Sequence, residues 1–426
     1  MRPSAIVRPK PVFAMAFIRE WSWRLAILAL PWQTRWFAEG PALGGLPWEQ
    51  GRWAFYLSYI PLGITVLMAC LEPFKPADHP LSKRAWAGIV GVFLVTLSAC
   101  FSIYPQASFQ WLVQLSVLSL FAWALLHLKV DRLSLVAWSV IAIVPEAVLA
   151  IGQFLGQRVI GSEFLGMSSQ LPATPGVSVV EEGGRRILRA YGGLPHPNIL
   201  GGWLAYGLAL LTSEAIALGK RWNAYAVQGI AALMAVALVL TFSRSAWIAA
   251  ALAVTAAGIM AWRKAWTLED KIRLFSLFTV IVLSVGVLGV LVHEIVIVRA
   301  TSGTRLEELS TNERLDSIAH AWTLVLRHPT LGTGPNTGIF ALDRAGFGII
   351  PPHFTFLLIL LETGFVGLLG VLILVGRWIW SVRMGALIPL LIIVPAGLLD
   401  HYLWSLWAGQ CLVMLAAVIP LTERRK

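Results

Sequence analysis

The chain has 426 residues, of which 58% are apolar and only 13% charged, and its mean hydropathy is +0.75. A soluble domain carries about 25% charged residues, and this apolar content suffices for about twelve spans of about 20 residues each. A soluble enzyme, a disordered chain and a protein with a single anchor are thereby excluded. The formal charge of +11, from 33 Lys and Arg against 22 Asp and Glu, would suggest nucleic acid in a soluble protein. In a polytopic chain the cytoplasmic loops collect basic residues anyway, so no nucleic-acid partner is expected and the lipid bilayer is the first partner.

Apolar runs long enough to span occur near 12–31, 53–71, 86–103, 106–127, 134–155, 197–217, 224–242, 246–262, 274–292, 353–376, 385–399 and 403–420. They predict an all-α polytopic membrane protein of about 12 transmembrane helices, a single integral membrane domain over 1–426. Arg19, Glu20 and Arg24 interrupt the first run and no small-residue cleavage site follows it, so that helix is expected to stay. Placing the basic amino terminus (Arg2, Arg8, Lys10) in the cytoplasm puts 19 basic residues inside and 12 outside, with Arg19 and Arg24 in the first span. Both termini are then cytoplasmic. All eight lysines fall inside, whereas every exterior basic residue is arginine. Cys70, Cys100 and Cys411 all lie in apolar stretches and offer no disulfide framework or zinc spacing.

Two exterior connections are long, 156–196 and 293–352, and loops of that length are usually functional. In the second, Ser310 followed by Glu313 has the form of a capping box, and Leu315, Ile318, Trp322 and Leu326 recur at helical spacing. The pattern predicts an amphipathic helix over about 311–327, lying on the outer membrane surface and ended by His328-Pro329.

Four stretches share that outer boundary: Pro195-His196-Pro197-Asn198 with Gly201-Gly202; Thr241-Phe-Ser243-Arg244-Ser245; Arg314 with His328-Pro329 and Gly332-x-Gly334; and Pro351-Pro352-His353 with Glu362-x-Gly364. Each has a plain structural reading. Arg244 could snorkel to head groups, Arg314 could be a solvated face residue, Asn198 a helix cap and Glu362 a helix-locking hydrogen-bond partner. Their co-location points instead to chemistry, because arginine binds phosphate bidentately and keeps its charge. A neutral histidine beside it can take a proton from an attacking hydroxyl. No phosphate-loop, zinc-protease or serine-nucleophile motif is present, and no metal or other cofactor is implied.

These stretches, in this order over residues 190–410, resemble the O-antigen ligase/polymerase superfamily of membrane glycosyltransferases. Pro197-Asn198-x-Leu200-Gly201 is similar to its PNxLG element, Ser243-Arg244 with Trp247 to SRxxW, Arg314 with Trp322 and His328-Pro329-x-x-Gly332-x-Gly334 to R…W…HPxxGxG, and His353 with Leu357, Glu362 and Gly364 to HNxxLxxxxExG. Phe354 stands where the family usually has Asn. The resemblance implies a GT-C-like, metal-independent enzyme of the cytoplasmic (inner) membrane, with its active site on the periplasmic or extracellular face. It implies that Arg244 and Arg314 bind the diphosphate of an undecaprenyl-diphosphate-linked glycan donor and that His353 activates the hydroxyl of a lipid or glycan acceptor. Arg189, His196, Asn198, Ser243, Glu362 and Asp400 are further candidates for substrate contacts. Transfer with inversion is expected, since no carboxylate nucleophile is evident. Ligation to lipid A core is the first reading, with polymerisation or protein O-glycosylation as alternatives within the superfamily. A lipid-linked glycan flippase is the alternative of another class.

Overall fold

The computed structural model describes residues 11–38, 40, 42–43, 46–47, 52–73, 83–301 and 305–422. The basic amino terminus, Lys75 and the tail Arg424-Arg425-Lys426, all used above to orient the chain, lie outside the described residues. In chain order the helices are α1 (Pro11–Ala29), α2 (Tyr59–Leu71), α3 (Lys83–Leu97), α4 (Pro105–His127), α5 (Arg132–Gly156), α6 (Pro197–Ser213), α7 (Ala215–Trp222), α8 (Ala224–Leu240), α9 (Arg244–Lys264), α10 (Leu268–Leu291), α11 (His293–Thr301), α12 (Arg305–Arg327), α13 (Gly338–Arg344), α14 (Thr355–Val382), α15 (Leu387–Leu399), α16 (Tyr402–Ser405) and α17 (Trp407–Val418). Every apolar run of the sequence therefore contains helix, although the 53–71 run opens on a strand at Ala54–Tyr56.

By length and composition α4, α5, α9, α10 and the stretch Thr355–Leu399 can each cross a membrane, and the pair α6–α7, bent by 82°, makes a sixth candidate. The chain is a multi-pass helical membrane protein. The expected count of twelve exceeds these candidates by six: α2, α3, α8 and α17 are only 13, 15, 17 and 12 residues long, α1 carries Arg19, Glu20 and Arg24, and the 353–376 and 385–399 runs fall in one stretch.

The bundle is organised on α6, whose residues from Pro197 to Thr212 are all buried. A helix apolar on every side has no surface to give to water. Its glycines set how closely the neighbours approach. A Cβ at Gly201 would lie 2.5 Å from Ala246 Cβ on α9, and one at Gly202 would lie 2.3 Å from the Tyr402 hydroxyl oxygen. Small residues at such crossings let helix backbones close up, which draws the starts of α6 and α9 and the α15–α16 junction to one place.

Antiparallel ribbons decorate the connections: β1 (Arg35–Phe37) pairs with β4 (Ala54–Tyr56), β2 (Ala42–Leu43) with β3 (Leu46–Pro47), and β5 (Val179–Glu182) with β6 (Arg185–Leu188). The amphipathic helix of the second long loop is present as α12 but begins at Arg305, so Ser310 lies within it rather than at its cap. Its buried stripe is Ser317, Ala321, Leu324 and Val325, packed towards α13 and α14, while Leu315, Trp322 and Leu326 are exposed.

α14 is broken at Gly364, whose φ is +63°. Two amides beyond the break find carbonyls in the His328-Pro329 turn: Phe365 N donates to Pro329 O at 2.8 Å and Val366 N to Thr330 O at 3.1 Å. Thr333 N and Gly334 N answer by donating to Leu361 O and Glu362 O at 3.0 and 2.8 Å. The HPxxGxG and ExG elements are thus two halves of one joint.

Candidate functional site

The turn before α9 is the centre of the site. Phe242 has φ +46°, a left-handed conformation that costs a non-glycine residue about 1–2 kcal/mol. Two arginines brace it. Arg189 Nε donates to Thr241 O at 2.8 Å, and Arg299 Nε, from α11, donates to Phe242 O at 2.9 Å. The turn delivers Arg244 as the first residue of α9, at the positive end of that helix dipole, and Arg244 Nη1 reaches Arg299 O at 3.4 Å. Ser243 is buried in the same turn, its hydroxyl 3.3 Å from that of Ser245.

A polar chain runs from here through α6. Arg189 Nη2 donates to Asn198 Oδ1 at 2.6 Å, and Asn198 Nδ2 donates to Asp400 Oδ2 at 2.7 Å. The other oxygen of Asp400 accepts from the His401 amide at 2.7 Å and faces His353 Nδ1 at 3.6 Å, an ion-pair approach rather than a hydrogen bond. The carbonyl of Asp400 accepts from both the amide and the hydroxyl of Thr355, at 3.1 and 2.7 Å. That pins the start of α14, and with it His353, against the α15–α16 junction.

Electrostatics tie these groups together. Burial presses the pKa of Arg189 down to about 10, with the Tyr191 hydroxyl and Asp400 pulling upward and Arg314 and Arg244 adding to the fall. Arg299 is lowered by burial first and then by Arg189, Arg244 and Arg314. Arg314, half-buried on α12, is lowered by burial and by Arg244, against the pull of Asp400, and its Nε is buried without a hydrogen-bond partner. Four guanidiniums thus feel one another, and Asp400 pulls the other way on Arg189 and Arg314. Burial works against the charge on Asp400, but His353, His401 and His196 outweigh it and hold the carboxyl below its usual range. Such a concentration of like charge around an orphaned donor has the chemistry to hold a polyanion.

His196 is an N-cap: its Nδ1 accepts from Asn198 N at 3.1 Å, which leaves the proton on Nε2 to face Ser178 Oγ at 2.8 Å. Burial, then the charge of Arg189, lowers its pKa to about 3, so it stays neutral. Glu362 stands apart from the arginines. Its carboxylate accepts from Asn336 N at 2.7 Å, Gly338 N at 2.9 Å and Trp404 Nε1 at 2.6 Å, so it clamps α13 and α16 onto α14. The structure thus brings Arg189, Asn198, Ser243, Arg244, Arg314, His353 and Asp400 to one place, with His196 at the rim and Glu362 beneath it.

The sequence carries no metal-ligand spacing, yet His353, Asp400 and His401 bring donor atoms within 4.8 Å of one another. Both Asp400 oxygens already accept hydrogen bonds or face His353, and Arg189 and Arg314 act on the same carboxylate. That positive field favours an anion over a cation.

Residues 229–372 match the family model described as O-antigen ligase. Over these residues the chain is similar to that family, which supports the resemblance to the O-antigen ligase/polymerase superfamily. The matched third of the chain contains Arg244, Arg299, Arg314 and His353, whereas Arg189, Asn198 and Asp400 reach the site from outside it. No curated protein matches the chain. Arg299 is the residue that the motifs did not single out. Its only sequence signal was membership of the lysine-free exterior set.

Proposed function

We propose that the chain is a glycosyltransferase that moves a glycan from an undecaprenyl-diphosphate carrier to an acceptor hydroxyl on the outer face of the cytoplasmic membrane, with ligation to lipid A core as the first assignment. The observation that carries this reading is the convergence of Arg189, Arg244, Arg299 and Arg314 beside the Asp400–His353 pair. Arg244 and Arg314 hold the diphosphate, and Arg299 adds fixed positive charge where negative charge grows as the anomeric C–O bond breaks. His353 turns Nδ1 towards Asp400, leaving Nε2 for the acceptor. The acceptor oxygen bonds to the anomeric carbon, its proton passes to Nε2, and the diphosphate departs with the bonding electrons. A single displacement of this kind inverts the anomeric centre. Asp400 stabilises the resulting imidazolium and tightens on it, as catalytic pairs do when they load.

The test is Arg314→Lys in a purified transfer assay with a polyprenyl-diphosphate glycan. Lysine keeps the charge and loses the fork; the lost charge-assisted hydrogen bond, about 1.5–3 kcal/mol, should lower transfer by about 10–100-fold. Near-normal transfer by this variant would overturn the assignment. In cells, deletion should abolish glycan-capped lipid A core if the chain is a ligase, and shorten the glycan to one repeat if it is a polymerase.

A further inference from the structure

A cavity of about 750 Å³ opens between β1, the 159–170 loop and the segment Tyr191–Pro195. It lies outside the residues discussed so far but shares a wall with them, since Tyr191–Pro195 links Arg189 to His196 and the start of α6. Its walls are set before any ligand arrives. Thr34 Oγ1 donates to Phe164 O at 2.5 Å, joining β1 to the loop. Gly166, at φ +65°, lies so close to Gln33 that a Cβ would stand 2.2 Å from its carbonyl carbon. Gln153 holds the third wall, accepting from the amides of Tyr191 and Gly192 at 3.1 and 2.9 Å and donating to Gly192 O at 2.7 Å.

The lining alternates two chemistries. Trp36, Phe37 and Phe164 contribute aromatic rings, and Trp36 and Phe164 are 56% and 72% exposed. Between them Ser162, Glu163 and Gln170 present hydrogen-bonding groups. The Arg35 guanidinium lies 4.9 Å over the Phe37 ring, so no knot of free cations waits there for a phosphate. A pyranose has the matching surface, an apolar C–H face with hydroxyls around its rim, and pockets of this volume bury a ligand of several rings.

Resting on the transferase reading above, we infer that this cavity is an oligosaccharide subsite, holding sugar units of the chain whose reactive end lies among the arginines. The carrier-linked glycan and the acceptor glycan are the two sources of that chemistry, and kinetics separates them. The double variant Trp36→Ala/Phe164→Ala removes two exposed rings and leaves the bond from the Thr34 hydroxyl to the Phe164 carbonyl intact. Ser168→Trp fills the same space from an exposed position and serves if the double variant fails to fold. Transfer is measured with two polyprenyl-diphosphate donors, one carrying a single sugar and one an oligosaccharide.

Loss of two ring contacts should raise a KM by about tenfold with kcat within about twofold. If the rise is confined to the oligosaccharide donor, the cavity holds the donor glycan; if it appears only in the acceptor KM, the cavity holds the acceptor glycan. Unchanged constants for every substrate in a folded, active variant overturn the subsite and leave the transferase standing. A wild-type chain that transfers nothing from either donor overturns the transferase, and the subsite with it.

Discussion

Asp400 is the residue on which the site turns. It receives Asn198 on one oxygen and faces His353 with the other, so it joins the arginine cluster to the histidine. Asp400→Asn keeps the volume and removes the charge that supports an imidazolium. An analogous loss in hydrolytic triads costs about four orders of magnitude, and with the longer approach here kcat should fall at least about 100-fold while the donor KM stays within a few-fold. Steady-state kinetics decides it, and a kcat within tenfold of wild type would sink the pairing. Arg299→Gln should do the reverse, raising the donor KM by about tenfold through loss of one charged partner. Arg244, Arg314 and His353 were legible in the sequence because each sits in a motif. Asp400 was legible only as a candidate contact, because its partner is 47 residues away in sequence and the α15–α16 junction that brings them together leaves no local signature. Arg299 lies in no motif, and only its hydrogen bond to the Phe242 carbonyl gives it a task.

At the scale of elements, the glycine-rich motifs prove to be joints. A Cβ at Gly364 would stand 2.3 Å from Thr330 O, a backbone atom that cannot swing aside, and the left-handed backbone there adds about 1–2 kcal/mol for any L side chain. Gly364→Ala should therefore lower the apparent melting temperature in detergent by several degrees. Gly376→Ala is the control, since that glycine of the same helix meets nothing within 4 Å and alanine favours helix by about 0.5–1 kcal/mol. Equal melting temperatures for the two variants would remove the joint from the account. Periodicity foretold a helix at α12 but not which face it buries, nor this interlock, which needs two segments about 30 residues apart. The same limit misplaced the start of α12. A serine three residues before a glutamate looks like a cap locally, yet the helix continues backwards because α12 gains its stability from the Ala321, Leu324 and Val325 stripe packed towards α13 and α14.

For the whole molecule, two buried histidines add acid sensitivity to folding. His196 and His401 are buried neutral, with pKa values lowered from 6.5 to about 3 and about 4, in both cases by burial first. The unfolded chain binds protons at these positions below pH 6.5 and the folded chain does not. Their contribution to stability therefore rises with pH through that window and levels off above it, with a slope of up to about 1.4 kcal/mol per pH unit for each histidine. Asp400 has the same sign but acts lower, since its folded pKa lies below the ordinary 3.8. His196→Asn supplies an equally good helix cap without a titrating ring, so the variant should gain melting temperature relative to wild type as the pH falls from 7 to 5. An identical pH dependence for the two proteins would mean that the His196 ring is hydrated in the folded protein. The arginine cluster beside it would then sit in water rather than in the buried setting on which the proposed diphosphate site depends.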